Sequence, residues 1–99
     1  YNTIMIEGKH PLERIFELAL EQATKGKGEE RHGNGTDFTD QPWVGLAKVH
    51  GSGFLTGQAQ KKIMEAVANR EETNYLWYER EILGAINYLA MNLIYEKEL

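Results

Sequence analysis

The residues best suited to chemistry in this 99-residue chain lie in a glycine-rich segment after the first predicted helix. Residues 26–40 contain four glycines, alternating charges and no apolar period. Glycine lets backbone N–H groups approach phosphate oxygens closely, and neighbouring cations add charge. The segment supplies Lys27, Arg31 and His32 as cations and Asn34 as an amide. We therefore interpret residues 26–41 as a candidate phosphate-binding loop, with a flexible, solvated connector as the alternative.

Aromatic and amide side chains elsewhere in the chain could hold the base of a nucleotide. Aromatic faces accept any nucleobase, and Trp43, Trp77 and Tyr78 are the candidates for stacking. Asn87 and Asn92 fall in an apolar stretch, where a buried amide must find a hydrogen-bond partner or reduce stability. That partner is either the edge of a ligand or a neighbouring subunit. For the aromatic residues, packing in the core or at an interface is the alternative.

Three other kinds of site are excluded or disfavoured by residue type. The chain has no cysteine, which excludes disulfides and thiolate metal ligands and suits a reducing compartment. Its only serine, Ser52, lies between two glycines without the flanking pattern of a nucleophile elbow. No two of His10, His32 and His50 have the spacing that places ligands on one helical turn. The sequence therefore favours neither nucleophilic catalysis nor a histidine metal site.

Acidic residues outnumber basic ones in both halves of the chain, and the net charge is −4. Binding to a nucleic-acid backbone needs clustered lysine and arginine, so this distribution disfavours a nucleic-acid partner. A small anion remains compatible because it needs only a few local cations. No apolar run approaches the roughly 20 residues that cross a bilayer, and the first residues do not resemble a signal peptide. We expect a cytoplasmic protein without a membrane partner.

Hydrophobic periodicity predicts a mainly α fold, in which residues 1–99 form one compact bundle of about four helices. The chain begins with a short β-rich stretch, residues 2–6, which we interpret as an edge strand or an extended arm. Pro11 suits the first turn of helix one, and Lys25 suits its last turn. The inward-facing positions predicted for this helix are Leu12, Ile15, Phe16, Ala19 and Ala23.

Capping residues predict the remaining helices. Asp40, followed by Pro42, predicts a second helix that ends at His50, and Thr56 predicts a third over residues 57–70. Asn74 predicts a fourth helix of about 25 residues that continues to the C-terminus. The inward-facing positions predicted for the second and third helices are Trp43, Leu46, Ala47, Ala59, Ile63, Ala66 and Val67.

The fourth helix is apolar on two sides. One apolar stripe consists of Leu76, Leu83, Ile86, Ala90 and Leu93. A second stripe lies roughly opposite and consists of Trp77, Gly84, Tyr88, Met91 and Tyr95. Three short helices can hardly enclose both stripes. We therefore expect the second stripe to contact another subunit, which makes the protein a homo-oligomer.

Several short motifs suggest a family. They are Arg31-His32-Gly33 and Asp37-Phe38 within residues 27–38, then Lys61-Lys62, and then Ile82-Leu83-Gly84-Ala85-Ile86-Asn87-Tyr88-Leu89-Ala90. Taken together, these segments resemble small phage-type MazG-like proteins of nucleotide metabolism. The resemblance covers roughly residues 12–95 and implies an all-α fold with helices paired between subunits.

The resemblance also implies an activity, the hydrolysis of a nucleoside triphosphate to a monophosphate and pyrophosphate. In that family carboxylates from two helices hold Mg²⁺, the only cofactor that we expect under this hypothesis. The residues available for the metal here are Glu65, Glu79 and Glu81, with Glu29 and Glu30 in the loop and Lys62 on a phosphate. Gly84 stands where the family places a metal-binding Asp.

Three hypotheses follow from these residues. The preferred one is a helical homo-oligomer that binds a phosphorylated nucleotide or cyclic nucleotide, without a cofactor, between the glycine-rich loop and the fourth helix of a neighbouring subunit. It sequesters this ligand if the protein is phage-encoded. Its ligand-binding residues are Lys27, Arg31, His32, Asn34, Trp43, Lys62, Trp77, Tyr78 and Asn87. The second is the Mg²⁺-dependent pyrophosphohydrolase. The third is a protein-interaction module without a small ligand.

Overall fold

Four α-helices account for most of the described residues and pack as a bundle, so the predicted mainly α fold is confirmed. A computed structural model describes residues 9–25, 37–71 and 74–99. Helix α1 spans Pro11–Lys25, α2 spans Pro42–His50, α3 spans Gly53–Ala68 and α4 spans Tyr75–Glu98. The strand or arm predicted over residues 2–6 and most of the glycine-rich loop, residues 26–36, lie outside the described residues.

Local capping fixes where α1 and α4 begin. The Asn74 side chain accepts a hydrogen bond from the Trp77 backbone N–H at 2.9 Å, so the predicted cap of α4 is confirmed. At the start of α1, Nδ1 of His10 accepts a hydrogen bond from the Leu12 backbone N–H at 3.0 Å. Glu13 in turn accepts from the His10 backbone N–H at 3.1 Å, which is the geometry of a capping box. His10 therefore has a structural role.

The caps predicted for the two middle helices are wrong. Residues Phe38–Asp40 form a single 3-10 turn, and the N-cap of α2 is Gln41, whose side chain makes no capping bond. α3 begins at Gly53, so Thr56 lies inside the helix, where its hydroxyl donates to the Gly53 carbonyl at 3.3 Å. Gly51 ends α2 shortly before α3 begins. Its φ of 86° lies in the left-handed region that favours glycine.

α3 and α4 form an antiparallel hairpin. Leu55, near the start of α3, packs in one cluster with Met91, near the end of α4. At the other end of the hairpin, the Arg70 guanidinium lies 4.6 Å from the ring centre of Tyr78. Between these ends the buried residues are mostly small, namely Ala59, Ala66, Gly84 and Ala85, which lets the two helices pack closely.

The core of large side chains lies where α2 packs against one end of this hairpin. Trp43 and Leu55 are the largest fully buried side chains, with exposed fractions of 1% and 0%. The Trp43 indole N–H donates to the Phe38 carbonyl at 2.9 Å, which ties the 3-10 turn to α2. The cluster is completed by Val44, Ala47 and Met91, with Phe38, Phe54, Tyr88, Ile94 and Tyr95 packed around it.

α1 packs antiparallel to the first half of α4, largely through polar bonds. The Asn87 side-chain amide donates to the Ala19 carbonyl at 2.9 Å, and the Gln22 amide donates to the Arg80 carbonyl at 3.0 Å. Ala19 is the one buried residue of α1. This helix therefore contributes little to the apolar core.

Several residues that we predicted to face inward are exposed. Leu12 and Phe16 of α1 are 57% and 55% exposed, because α1 turns only its Ala19 side toward α4. The same error applies to Leu46 in α2 and to Ile63 and Val67 in α3, which are all classed as exposed. A helical period identifies an apolar face, but another element must cover that face before it becomes core.

The second stripe of α4 does not have the position that we predicted for it. Met91 lies in the buried cluster, Tyr88 and Tyr95 pack against it, and Gly84 faces α3. These residues are therefore part of the core of their own chain, and the assignment of this stripe to another subunit is wrong. No described helix is long and apolar enough to span a membrane.

Replacing Trp43 by Ala is expected to lower the free energy of unfolding by about 3–5 kcal/mol, because it removes the largest fully buried side chain. The matched control is Leu46→Ala on the same helix, which is 43% exposed and should cost about 1 kcal/mol or less. Urea unfolding followed by circular dichroism measures both. Equal losses in the two variants would contradict the assigned core.

Candidate functional site

Three helices meet at Gly84, where a charged side chain crosses α4. A β-carbon at position 84 would lie 2.7 Å from Cδ and 3.1 Å from Cε of Lys62, and 3.8 Å from Nε2 of Gln22. The absence of a side chain at Gly84 therefore leaves the space that the Lys62 stem occupies between α3 and α1. We call Gln22, Lys62, Glu81, Gly84 and Asn87 the helix junction.

Lys62 is the one cation at the helix junction, and its ammonium is only weakly paired with Glu81. Its ammonium lies 3.5 Å from the Glu81 carboxylate, and the two side chains are 25% and 16% exposed. Charge-assisted hydrogen bonds between such groups are shorter, about 2.7–2.9 Å. A lysine has three N–H donors, and Glu81 occupies at most one of them. Because the Lys62 side chain is partly exposed and Glu81 leaves N–H donors unused, the ammonium can still bind an anion.

The helix junction brings together two of the predicted ligand residues, Lys62 and Asn87. Asn87 already donates one amide N–H to the Ala19 carbonyl, so part of its hydrogen-bonding capacity serves the packing of α1. Asn92 lies further along α4, and its Oδ1 is buried without a hydrogen-bond partner within residues 9–25, 37–71 and 74–99. Of the two asparagines, therefore, only Asn87 has a place at the site.

The predicted stacking residues are distributed over two regions. Trp77 is half-buried, and it precedes Glu81 and Gly84 by four and seven residues, which places it on the same face of α4. Tyr78 is also half-buried, but the Arg70 guanidinium lies over its ring. Trp43 lies in the core at 1% exposure, so a ligand has no access to its ring in this structure. Trp77 is the best-placed of the three for a base.

The carboxylates expected to bind a metal under the hydrolase hypothesis lie on two helices. Glu65 is exposed on α3, and Glu79 is half-buried on α4. Glu81 pairs with Lys62. Within the described ranges, no three acidic or histidine side chains lie close enough together to hold a metal ion. Glu29 and Glu30 lie outside those ranges.

The loop residues Lys27, Arg31, His32 and Asn34 also lie outside the described residues. α1 ends at Lys25, three residues after Gln22 bonds the Arg80 carbonyl. The last described residue before the loop is therefore about one helical turn beyond the helix junction. The predicted phosphate loop follows it directly in sequence.

Two residues were not predicted from the sequence, one at the helix junction and one that covers Tyr78. Gln22 spans α1 and α4, and its glutamine side chain in the last turns of an otherwise amphipathic helix is the only signal that we can find for it. Arg70 covers Tyr78 at 4.6 Å and lies 5.5 Å from the ring centre of Tyr75. Its signal is an arginine at the end of α3, a few residues before an aromatic first turn of α4.

The contact between Lys62 and Gly84 can be measured with a double-mutant cycle. In a Lys62→Ala background, Gly84→Ala should raise the free energy of unfolding by about 1 kcal/mol, because alanine favours the helix. In the parent chain the gain should be smaller, since the added β-carbon must displace the Lys62 stem. Urea unfolding of the four chains gives both values. The same gain in both backgrounds would show that the stem does not lie over Gly84.

Comparison of the chain with models of protein families, with curated protein sequences and with solved structures found no significant match. The resemblance to MazG-like proteins therefore stays a prediction from short motifs. The functional argument depends on the residues of the helix junction and on the loop that follows α1.

Proposed function

We propose that this protein is a homo-oligomer that binds a phosphorylated nucleotide, with Lys62 as a phosphate ligand. The observation that carries the proposal is the placement of Lys62, whose stem crosses Gly84 while 25% of its side chain stays exposed. The junction orients that ammonium because Gly84 and Gln22 limit where the stem can lie. Holding a cation in advance lowers the entropy that binding would otherwise cost.

The base is proposed to stack on Trp77, on the same side of α4 as Lys62. Tyr78 is a weaker candidate since Arg70 already covers its ring. The cations Lys27, Arg31 and His32 follow the end of α1 in sequence and are proposed to complete the phosphate site. A nucleotide would thus be held by Lys62, by the three loop cations and by one aromatic face, which is sufficient for recognition of a small anion.

The residues of the helix junction favour nucleotide binding without hydrolysis. Holding a phosphate needs cations and amides, which the junction and the loop supply. Metal-dependent hydrolysis needs carboxylates placed around the metal, and Glu81 is paired with Lys62 instead. A protein that binds tightly without consuming its ligand acts by sequestering it.

Phosphorylated nucleotides are expected to raise the melting temperature of the chain by several degrees in a thermal-shift screen. A ligand at 100 times its dissociation constant adds about 2.7 kcal/mol of stability. Lys62→Ala should abolish most of the shift, and Lys27→Ala combined with Arg31→Ala should do the same. The matched control is Lys61→Ala, which removes the same charge one position away on the exposed surface.

The screen uses nucleoside mono-, di- and triphosphates and cyclic dinucleotides, each with and without Mg²⁺. No shift with any of them would contradict nucleotide binding and leave the protein-interaction module. If Lys61→Ala and Lys62→Ala reduced the ligand-induced rise in melting temperature equally, the role of Lys62 as a phosphate ligand would be contradicted. Release of pyrophosphate from a triphosphate would replace sequestration by hydrolysis, and Glu79→Ala should then abolish it.

A further inference from the structure

The outer side of α4 carries an apolar stripe that no described element covers. Residues 80, 84, 87, 91 and 94 face α1 or the core, and positions two residues further along lie about 200° round the helix. Four of those positions are apolar, Ile82, Ile86, Leu89 and Leu93, which we call the outer stripe, and the fifth is Glu96 at its end. Leu89 and Leu93 are 47% and 59% exposed, and both isoleucines are partly exposed. Their spacing of four, three and four residues is that of a helix-pairing seam.

α3 widens this surface beside the outer stripe. Lys62 lies against α4 at Gly84, next to Gln22 of α1, and Ala66 is buried, whereas Ile63 and Val67 lie about 100° further round α3 and are exposed. Ile63 is 42% exposed and Val67 is 63% exposed. The hairpin of α3 and α4 thus has one side packed against α1 and α2 and one apolar side open.

We propose that the outer stripe pairs with the outer stripe of a second copy, with the two α4 helices antiparallel. The inference rests on the homo-oligomer of the proposed function but not on its ligand. An antiparallel pair about an axis between Ile86 and Leu89 places Ile82 against Leu93 of the partner subunit, and Ile86 against the partner's Leu89. The four apolar residues are therefore complementary to themselves, as a two-fold interface requires.

Charges at the two ends of the outer stripe fit the same arrangement. Glu79 precedes Ile82 by three residues, and Lys97 follows Leu93 by four. Both lie on the same flank of the stripe, so antiparallel pairing sets Glu79 beside Lys97 of the partner subunit, twice in the dimer. Within the described part of the chain, neither side chain has an ion pair of its own. A parallel pair would instead leave Glu79 and Lys97 of the partner subunit at opposite ends of the interface, about 27 Å apart, so this ion pair could not form.

The area is sufficient for a specific interface. From Glu79 to Lys97 the helix is about 27 Å long at 1.5 Å per residue. Two adjacent helices present a face about 20 Å wide, since packed helix axes lie about 8–10 Å apart. Two copies would then bury on the order of 1,100 Å² in total, which passes the roughly 1,000 Å² expected of a biological interface.

A charge-exchange series tests the pairing directly. Glu79→Lys and Lys97→Glu are each expected to raise the dimer dissociation constant at least tenfold, because each sets like charges together twice. The double variant Glu79→Lys/Lys97→Glu should recover dimerisation. Sedimentation equilibrium of the full chain measures this against the monomer mass of 11.3 kDa. A parent chain that stays monomeric at about 100 μM, where complexes of micromolar affinity form, would overturn the proposal.

Apolar contact is tested separately with aspartate on the outer stripe. Leu89→Asp and Leu93→Asp should yield folded monomers, since both side chains are already about half exposed in the single chain. Val49→Asp on α2 is the matched control because Val49 is 77% exposed but lies off the stripe. Dimers that persist in both leucine variants, or that are lost equally in the control, would refute the assigned surface.

The direction of pairing can be read from cross-links because the chain has no natural cysteine. An equimolar mixture of Ile82→Cys and Leu93→Cys chains should form mixed disulfide-linked dimers on mild oxidation. Dimers of Ile82→Cys with itself would indicate parallel helices and overturn the antiparallel arrangement. These dimerisation experiments contain no nucleotide. Absence of the dimer is therefore distinguishable from absence of nucleotide binding.

Discussion

Small side chains let α3 approach α4 closely, and the positions of the other helices depend on that contact. Ala59 and Ala66 of α3 and Ala85 of α4 are at most 3% exposed, and Gly84 leaves room for the Lys62 stem. Dispersion forces fall off steeply with distance, so close approach along the hairpin contributes stability that larger side chains would forfeit. The hairpin then provides one surface for α2 at one end and for α1 at the other.

The helices α2 and α1 are attached to this hairpin by different interactions. α2 is held by burial of Trp43 and by the tie of its indole N–H to the Phe38 carbonyl. α1 depends instead on the amides of Gln22 and Asn87, each of which contributes about 0.5–1.5 kcal/mol net. The proposed phosphate site lies on the weaker of these attachments, where a ligand that bridges α1, α3 and α4 would add most to stability.

The exposed apolar side chains explain why we expect this chain to associate with a second copy. Among the described residues, fourteen large apolar side chains are at least 37% exposed, whereas ten hydrophobic residues are buried, five of them alanine. A domain of this size buries only about two thirds of its unfolded surface, so a second layer on the open side of the hairpin supplies burial that one chain lacks. Self-pairing through the outer stripe and nucleotide binding at the helix junction use opposite sides of α4, so the two can occur together.

The sequence by itself determined the helices, because their signals are local. Pro11, Asn74 and the apolar periods predict α1 and α4 within a residue or two, since capping and propensity act over a few positions. Only the tertiary structure decided which face of each helix is core. Phe16 is exposed and Trp43 is enclosed although both are apolar and periodic, because burial depends on which element covers a face. The meeting of Lys62 with Gly84 likewise joins residues distant in sequence, and no local pattern records such a contact.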